Sequence, residues 1–109
     1  MMEKLFIYGT LAPGESNHGV VENIPGHWEA ARIKGTLFKQ GWGTDLKAPA
    51  VIPSENGEDV NGYLFSSKQL SEHWAMLDEF EGSEYKRVLV QATKDSGETV
   101  EAFVYALNE

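Results

Sequence analysis

The sequence predicts an α+β fold, a curved, mostly antiparallel sheet or small barrel whose end is covered by one helix. Three observations carry this reading. Short runs of β-branched and aromatic residues recur between turn signals, and one stretch, Lys68 to Phe80, spaces its apolar residues as a helix does. The chain then ends in two alternating runs joined through Asp95-Ser96-Gly97, which read as a hairpin.

Lys4 to Tyr8 reads as the first strand, and Gly9-Thr10 with Pro13-Gly14 forces a loop after it. Ser16-Asn17-His18 is placed to cap a short helix through about Ile24, stopped by Pro25-Gly26. Trp28 to Phe38 is extended, with Ala30-Ala31 its weakest point, and Gly41-Trp42-Gly43-Thr44 opens a loop. Ala50-Val51-Ile52 forms a short strand between Pro49 and Pro53, and Asn56-Gly57 turns the chain into a strand from Val60 to Phe65. Ser66-Ser67-Lys68-Gln69 offers a capping-box start for the main helix, and Gly82 ends it. Tyr85 to Thr93 and Thr99 to Leu107 are the closing strands.

The chain has 109 residues, which suits one domain, residues 1–109, with a single core of useful size. It contains no cysteine, so disulfides, thiolate metal sites and a cysteine nucleophile are excluded. A formal net charge of −8 without clustered Lys and Arg argues against a nucleic-acid partner. The apolar run after Met1 is too short for a signal peptide, and no stretch approaches the ~20 apolar residues that span a bilayer, so a cytoplasmic protein with no membrane partner is expected.

The helix carries the most informative pattern. Leu70, Trp74 and Leu77 recur at steps of four and three, and a further four residues reach Glu81, near the middle of the same stripe. Glu79 points to the opposite side. A carboxylate aimed toward a dry pocket resists ionisation, and its pKa rises toward the range useful for moving protons at neutral pH. Periodicity alone leaves a second possibility open, that the helix has ended at Phe80 and Glu81 is an exposed cap residue. The acidic residues Asp78, Glu79, Glu81 and Glu84 diverge in helical angle and match no cation-binding loop, so no metal site is expected there.

At Tyr8-Gly9-Thr10-Leu11 a strand turns through glycine, a pattern that can present backbone N–H groups to an anion or a polarised carbonyl, or can be a plain turn. Tyr85 and Arg87 share one face of a strand, opposite Val88 and Val90. An inward arginine can bind a substrate carboxylate bidentately, or it can pair with a neighbouring acid for structural reasons. Trp28, Trp42 and Tyr105 read as core or rim aromatics. His18, His27 and His73 have no ligand spacing.

Three pieces in order carry a resemblance: Tyr8-Gly9-Thr10-Leu11 followed by Gly14 and Asn17, then Leu77-Asp78-Glu79-Phe80-Glu81-Gly82, then Tyr85-Lys86-Arg87. Together they resemble the gamma-glutamylcyclotransferase-like superfamily, in the small branch that includes gamma-glutamylamine cyclotransferases, AIG2-like plant proteins and bacterial proteins of the YtfP type. The resemblance implies a small mixed, mostly antiparallel β-barrel with one main helix and short flanking helices. It implies Glu81 as the catalytic general acid/base, the same carboxylate that the helical stripe singles out. It further implies a substrate cavity beside Tyr8, Gly9, Thr10 and Leu11, with Tyr85 and Arg87 as positioning residues, no cofactor, and a gamma-glutamyl amide as the small-molecule substrate. The reaction would release 5-oxoproline and an amine. The alternative is a non-catalytic module that holds a gamma-glutamyl-like or carboxylate ligand in the same cavity. Ala12 stands where many relatives carry a basic residue.

Overall fold

The computed structural model describes residues 3–9, 11–15, 18–38 and 50–108. Expectations at Thr10, Ser16, Asn17 and the loop from Gly41 to Ala48 with Trp42 lie outside the described residues.

Six strands are ordered along the chain as β1 (Glu3–Ile7), β2 (His27–Phe38), β3 (Ala50–Pro53), β4 (Glu58–Ser67), β5 (Tyr85–Lys94) and β6 (Thr99–Leu107), with one α-helix, α1 (Trp74–Glu81), between β4 and β5. They form one sheet in the order β1-β4-β2-β3-β6-β5, and it closes on itself because β1 also pairs with β6 and β2 with β5. The fold is therefore the small barrel that the sequence predicts. Most pairings are antiparallel; β1 and β3 each run parallel to β6, at Leu5–Phe103, Phe6–Val104 and Val51–Ala106. The Ala30-Ala31 pair does not break β2, whose ladder with β4 runs from His27 opposite Ser66 to Gly35 opposite Glu58.

Apolar residues fill both faces of the sheet, and the period of two in each strand sorts them. Phe6, Ile33, Val51, Val60, Leu64, Ala92 and Val104 come from all six strands and fill the barrel. Their neighbours Leu5, Ile7, Phe65 and Tyr105 point outward and are covered by Leu11, Val21, Ile24, Leu70 and Leu77. Uninterrupted apolar runs such as Leu5-Phe6-Ile7 are the signature of a strand buried on both faces.

Two helix expectations need correction. The segment from Lys68 is not α-helical at its start: Leu70–Glu72 is a 3-10 turn and the α-helix begins at Trp74. Ser66 and Ser67 cannot form a capping box because they belong to β4, opposite Lys4 and Glu3. The Ser67 hydroxyl donates to the Pro25 carbonyl at 2.5 Å and accepts from the Gln69 N–H at 3.0 Å, so it braces the strand end instead. Near residue 18 the chain forms only a 3-10 turn, His18–Val20. The stop at Gly82 holds: its φ is 83°, which ends α1 at Glu81, and its N–H donates to the Asp78 carbonyl at 3.1 Å.

Candidate functional site

Tyr8 follows the last paired residue of β1, at the point where β1 leaves β6 and β3 takes its place along the same edge. Its hydroxyl bridges the junction, donating to the Tyr105 carbonyl at 2.6 Å and accepting from the Val51 N–H at 3.1 Å. Burial pushes this hydroxyl well above its ordinary pKa of 10, a rise opposed by the Val51 N–H and increased by Tyr85 and Glu81. Tyr8 is thus a neutral stitch between strands, with both hydrogen-bonding capacities of its hydroxyl in use.

The segment after Tyr8 turns at once, the Gly9 carbonyl accepting from the Ala12 N–H at 3.1 Å. Leu11 is buried and belongs to the outer core, so its side chain anchors the turn and only its backbone can meet a ligand. Its carbonyl accepts a hydrogen bond from His18 Nδ1 at 2.9 Å, and the His18 ring packs 5.2 Å from that of Trp28. Tyr8 and Gly9 border a cavity of about 290 Å³ shared with Asn61 and Tyr63.

Glu81 is the last residue of α1, inside the helix rather than beyond it, and it is mostly buried on the Leu70–Leu77 stripe. Burial pushes its carboxyl from 4.5 up to about 7. Among the described residues no cation forms an ion pair with it. Three tyrosines feel its charge: Tyr8 just after β1, Tyr85 from β5 and Tyr105 from β6. The Tyr85 hydroxyl is pushed up to about 12, first by burial and then by the charges of Glu81 and Glu84. The tyrosines stay neutral at physiological pH while burial brings the carboxyl toward the neutral range, a combination suited to taking a proton and returning it.

Arg87 shares a strand face with Tyr85, as expected, and the structure shows what that face meets. The guanidinium lies 4.3 Å from the centre of the Trp74 ring and 5.1 Å from that of Phe103, and Nε is 3.4 Å from Asp78 Oδ1. Tyr105 donates to the same Asp78 oxygen at 2.7 Å. Burial, this bond and the Asp78 charge push the Tyr105 hydroxyl far above its ordinary value. Asp78, Tyr85, Arg87 and Tyr105 border a second concavity of about 310 Å³.

Tyr8, Tyr85 and Glu81 are therefore brought together, Gly9 and Leu11 form the adjoining turn, and Arg87 reaches the same helix through Asp78. Tyr105, read from the sequence as a core or rim aromatic, is indeed part of the outer core; its bond to Asp78, read as one acid among several, was not foreseen. A signal existed: counting outward from the Asp95-Ser96-Gly97 turn places Arg87 opposite Tyr105, which is the register observed. Among the described residues no group of three or more acids and histidines could hold a metal ion, and no helix is long and apolar enough to cross a membrane.

A family model described as gamma-glutamyl cyclotransferase, AIG2-like, matches residues 5–109. The chain belongs to this family. AIG2-like protein B of Arabidopsis thaliana is 30% identical over 112 residues, a match covering 95% of this chain and 58% of that protein. Among solved structures, YkqA of Bacillus subtilis is 31% identical with a TM-score of 0.75, covering 99% of this chain and 36% of its own. An AIG2-like protein of Mus musculus is 25% identical with a TM-score of 0.72, covering 96% of this chain and 76% of its own. The chain thus spans little more than half of the Arabidopsis protein and about a third of YkqA. The gamma-glutamyl cyclotransferase, AIG2-like fold is the barrel described above, in which the charge of Glu81 at the end of α1 is felt by Tyr8.

Proposed function

We propose that this chain cyclises gamma-glutamyl amides to 5-oxoproline and a free amine, with Glu81 as the group that moves the proton. The single observation that carries the reading is a carboxylate at the end of α1, in a chain of this family, which burial pushes up from 4.5 to about 7.

The substrate supplies its own nucleophile. Its α-ammonium gives a proton to the Glu81 carboxylate, and the free amine attacks the γ-carbonyl carbon to close a five-membered ring. The carbonyl oxygen takes on negative charge, and backbone N–H groups of the turn from Gly9 through Thr10 to Leu11 are the donors this reading assigns to it. As the tetrahedral carbon collapses, the γ-amide C–N bond breaks, Glu81 returns the first proton to the departing nitrogen, and the second proton shed by the ring nitrogen passes to the released amine, which leaves as an ammonium ion. No net proton or electron is consumed, so the cycle needs no further reactant. Tyr8 and Tyr85 wall the carboxyl from water and remain protonated throughout.

The test is mass-spectrometric detection of 5-oxoproline after incubating wild type and Glu81→Gln with gamma-glutamyl amino acids, gamma-glutamyl amines and glutathione. Wild type is expected to release 5-oxoproline from at least one class, and Glu81→Gln is expected to lose about 10²- to 10⁴-fold in kcat. Equal turnover by the two proteins would refute the role of Glu81. Binding of a panel member by a folded wild type without turnover would make the site a ligand-holding module instead.

A further inference from the structure

We infer that Arg87, Asp78 and Tyr105 form a splint that fixes the last turn of α1 against the β5–β6 hairpin and so sets the position of the Glu81 carboxyl. The inference rests on reading Glu81 as the proton-moving group and assigns Arg87 a positioning role in place of a clamp on the substrate carboxylate.

The helix cannot hold its own end. It has 8 residues and no side-chain cap at its start, whereas isolated helices need about 12–15 residues to be even marginal in water. Only Leu77 among its residues is fully buried. Arg87 supplies what is missing by meeting the helix on two successive turns. Its guanidinium carbon lies 4.3 Å from the centre of the Trp74 ring, and its Nε reaches Asp78, four residues further along the same face. Trp74 is itself tied to β1 through a 3.0 Å bond from Nε1 to Glu3 Oε2. Glu81 is one turn beyond Asp78.

The Asp78 side chain keeps 46% of its surface, so attraction to Arg87 alone holds it weakly. The firmer restraint is Tyr105. It is buried, stands directly opposite Arg87 in the hairpin register, and donates to the same carboxylate oxygen at 2.7 Å. The guanidinium meanwhile lies over the Trp74 and Phe103 rings, and its Nε edge is turned to Asp78 at 3.4 Å, so that edge already faces a carboxylate of the protein itself.

The groups facing Glu81 make a clean test possible. Its charge is felt by Tyr8 just after β1, Tyr85 on β5 and Tyr105 on β6; Asp78 and Glu79 share its helix, the Glu84 charge also acts on Tyr85, and Arg87 is the cation on Asp78. Tyr105→Phe removes a hydrogen bond and no charge. Arg87→Gln removes a positive charge, which by electrostatics alone would raise a nearby carboxyl's pKa. Release of the splint has the opposite effect, because a loosened helix end admits water.

Carboxyl-carbon NMR titration of Glu81 is therefore compared in wild type, Tyr105→Phe, Arg87→Gln and Arg87→Lys, with Glu81→Gln assigning the signal. Both Tyr105→Phe and Arg87→Gln are expected to lower the Glu81 midpoint by about one pH unit or more, and Arg87→Lys, which keeps the charge but not the planar fork, to fall between them and wild type. On an accepted gamma-glutamyl amide, kcat should fall roughly tenfold with KM nearly unchanged, and the acid limb of kcat should follow the titration. An unchanged midpoint in folded Tyr105→Phe overturns the splint. So does a raised midpoint in Arg87→Gln, or a raised KM with constant kcat, which would mark Arg87 as the substrate clamp. If wild type turns over no amide, the proposed function fails while the titration still decides the splint; if Arg87→Gln does not fold, Tyr105→Phe decides it.

Discussion

Replacing Glu81 by Gln keeps the shape of the side chain and removes its charge, so its effect on stability should depend on pH in one direction. In the folded protein, burial raises the carboxyl from 4.5 to about 7, while the unfolded chain titrates near the lower value. Below the unfolded value both states carry the neutral acid, and Glu and Gln are nearly equivalent. As the pH rises through the interval, the unfolded chain loses its proton first and is favoured, so the wild type loses stability until the folded carboxyl has also ionised. At about 1.4 kcal/mol per pH unit, the interval is worth roughly 3 kcal/mol. Part of the carboxyl still reaches water, which reduces the expected effect to about 2 kcal/mol. Glu81→Gln should therefore match wild type at about pH 4 and exceed it by about 2 kcal/mol at about pH 8, a gain in stability that accompanies loss of turnover. Urea denaturation across this range, followed by tryptophan fluorescence, measures the difference. A flat difference would show that Glu81 is hydrated in the fold, and a deficit growing with pH would show that its ionised form is paired with a cation; either result refutes the reasoning.

Tyr8→Phe should leave the buried Val51 N–H and Tyr105 carbonyl without their partner and cost about 1–3 kcal/mol; hydrogen exchange at Val51 should quicken, and unchanged stability and exchange would show that the hydroxyl does not stitch the strands. Gly62→Ala would drive a methyl into the Ile7 carbonyl across the β1–β4 pair, with the Phe6 ring behind it, and should cost about 2 kcal/mol or more. A urea midpoint for Gly62→Ala equal to that of wild type would contradict the packing of that pair.

Much of the barrel is legible in the chain because each strand carries its own signals. Runs such as Leu5-Phe6-Ile7 and Val60 to Phe65, cut by Asn56-Gly57 or Asp95-Ser96-Gly97, give strand and hairpin positions close to those observed. Within α1, Trp74 and Leu77 lead to Glu81 for the same reason, since helical geometry repeats locally, whereas Leu70 belongs to the preceding 3-10 turn. What failed was local chemistry overruled from a distance: Ser66 and Ser67 look like a helix start, but the ladder with β1 claims them for β4. Their neighbours in sequence then have only a 3-10 turn with which to reach the helix.

The site divides along the same line. The sequence by itself determined which residue types are present and how they are spaced: Tyr8 at a strand end before Gly9, Glu81 in line with Trp74 and Leu77 if the helix reaches it, Tyr85 and Arg87 on one strand face; that the helix does reach Glu81 was decided by the structure. The tertiary structure alone decided which of them meet. Tyr105 is 97 residues from Tyr8, yet its carbonyl takes the Tyr8 hydroxyl, and its own hydroxyl takes Asp78, 27 residues before it. Such pairings depend on closure of the sheet through β1 and β6. The dryness that raises the Glu81 carboxyl is likewise a property of three strands converging on one helix end, and no local pattern encodes that amount of burial.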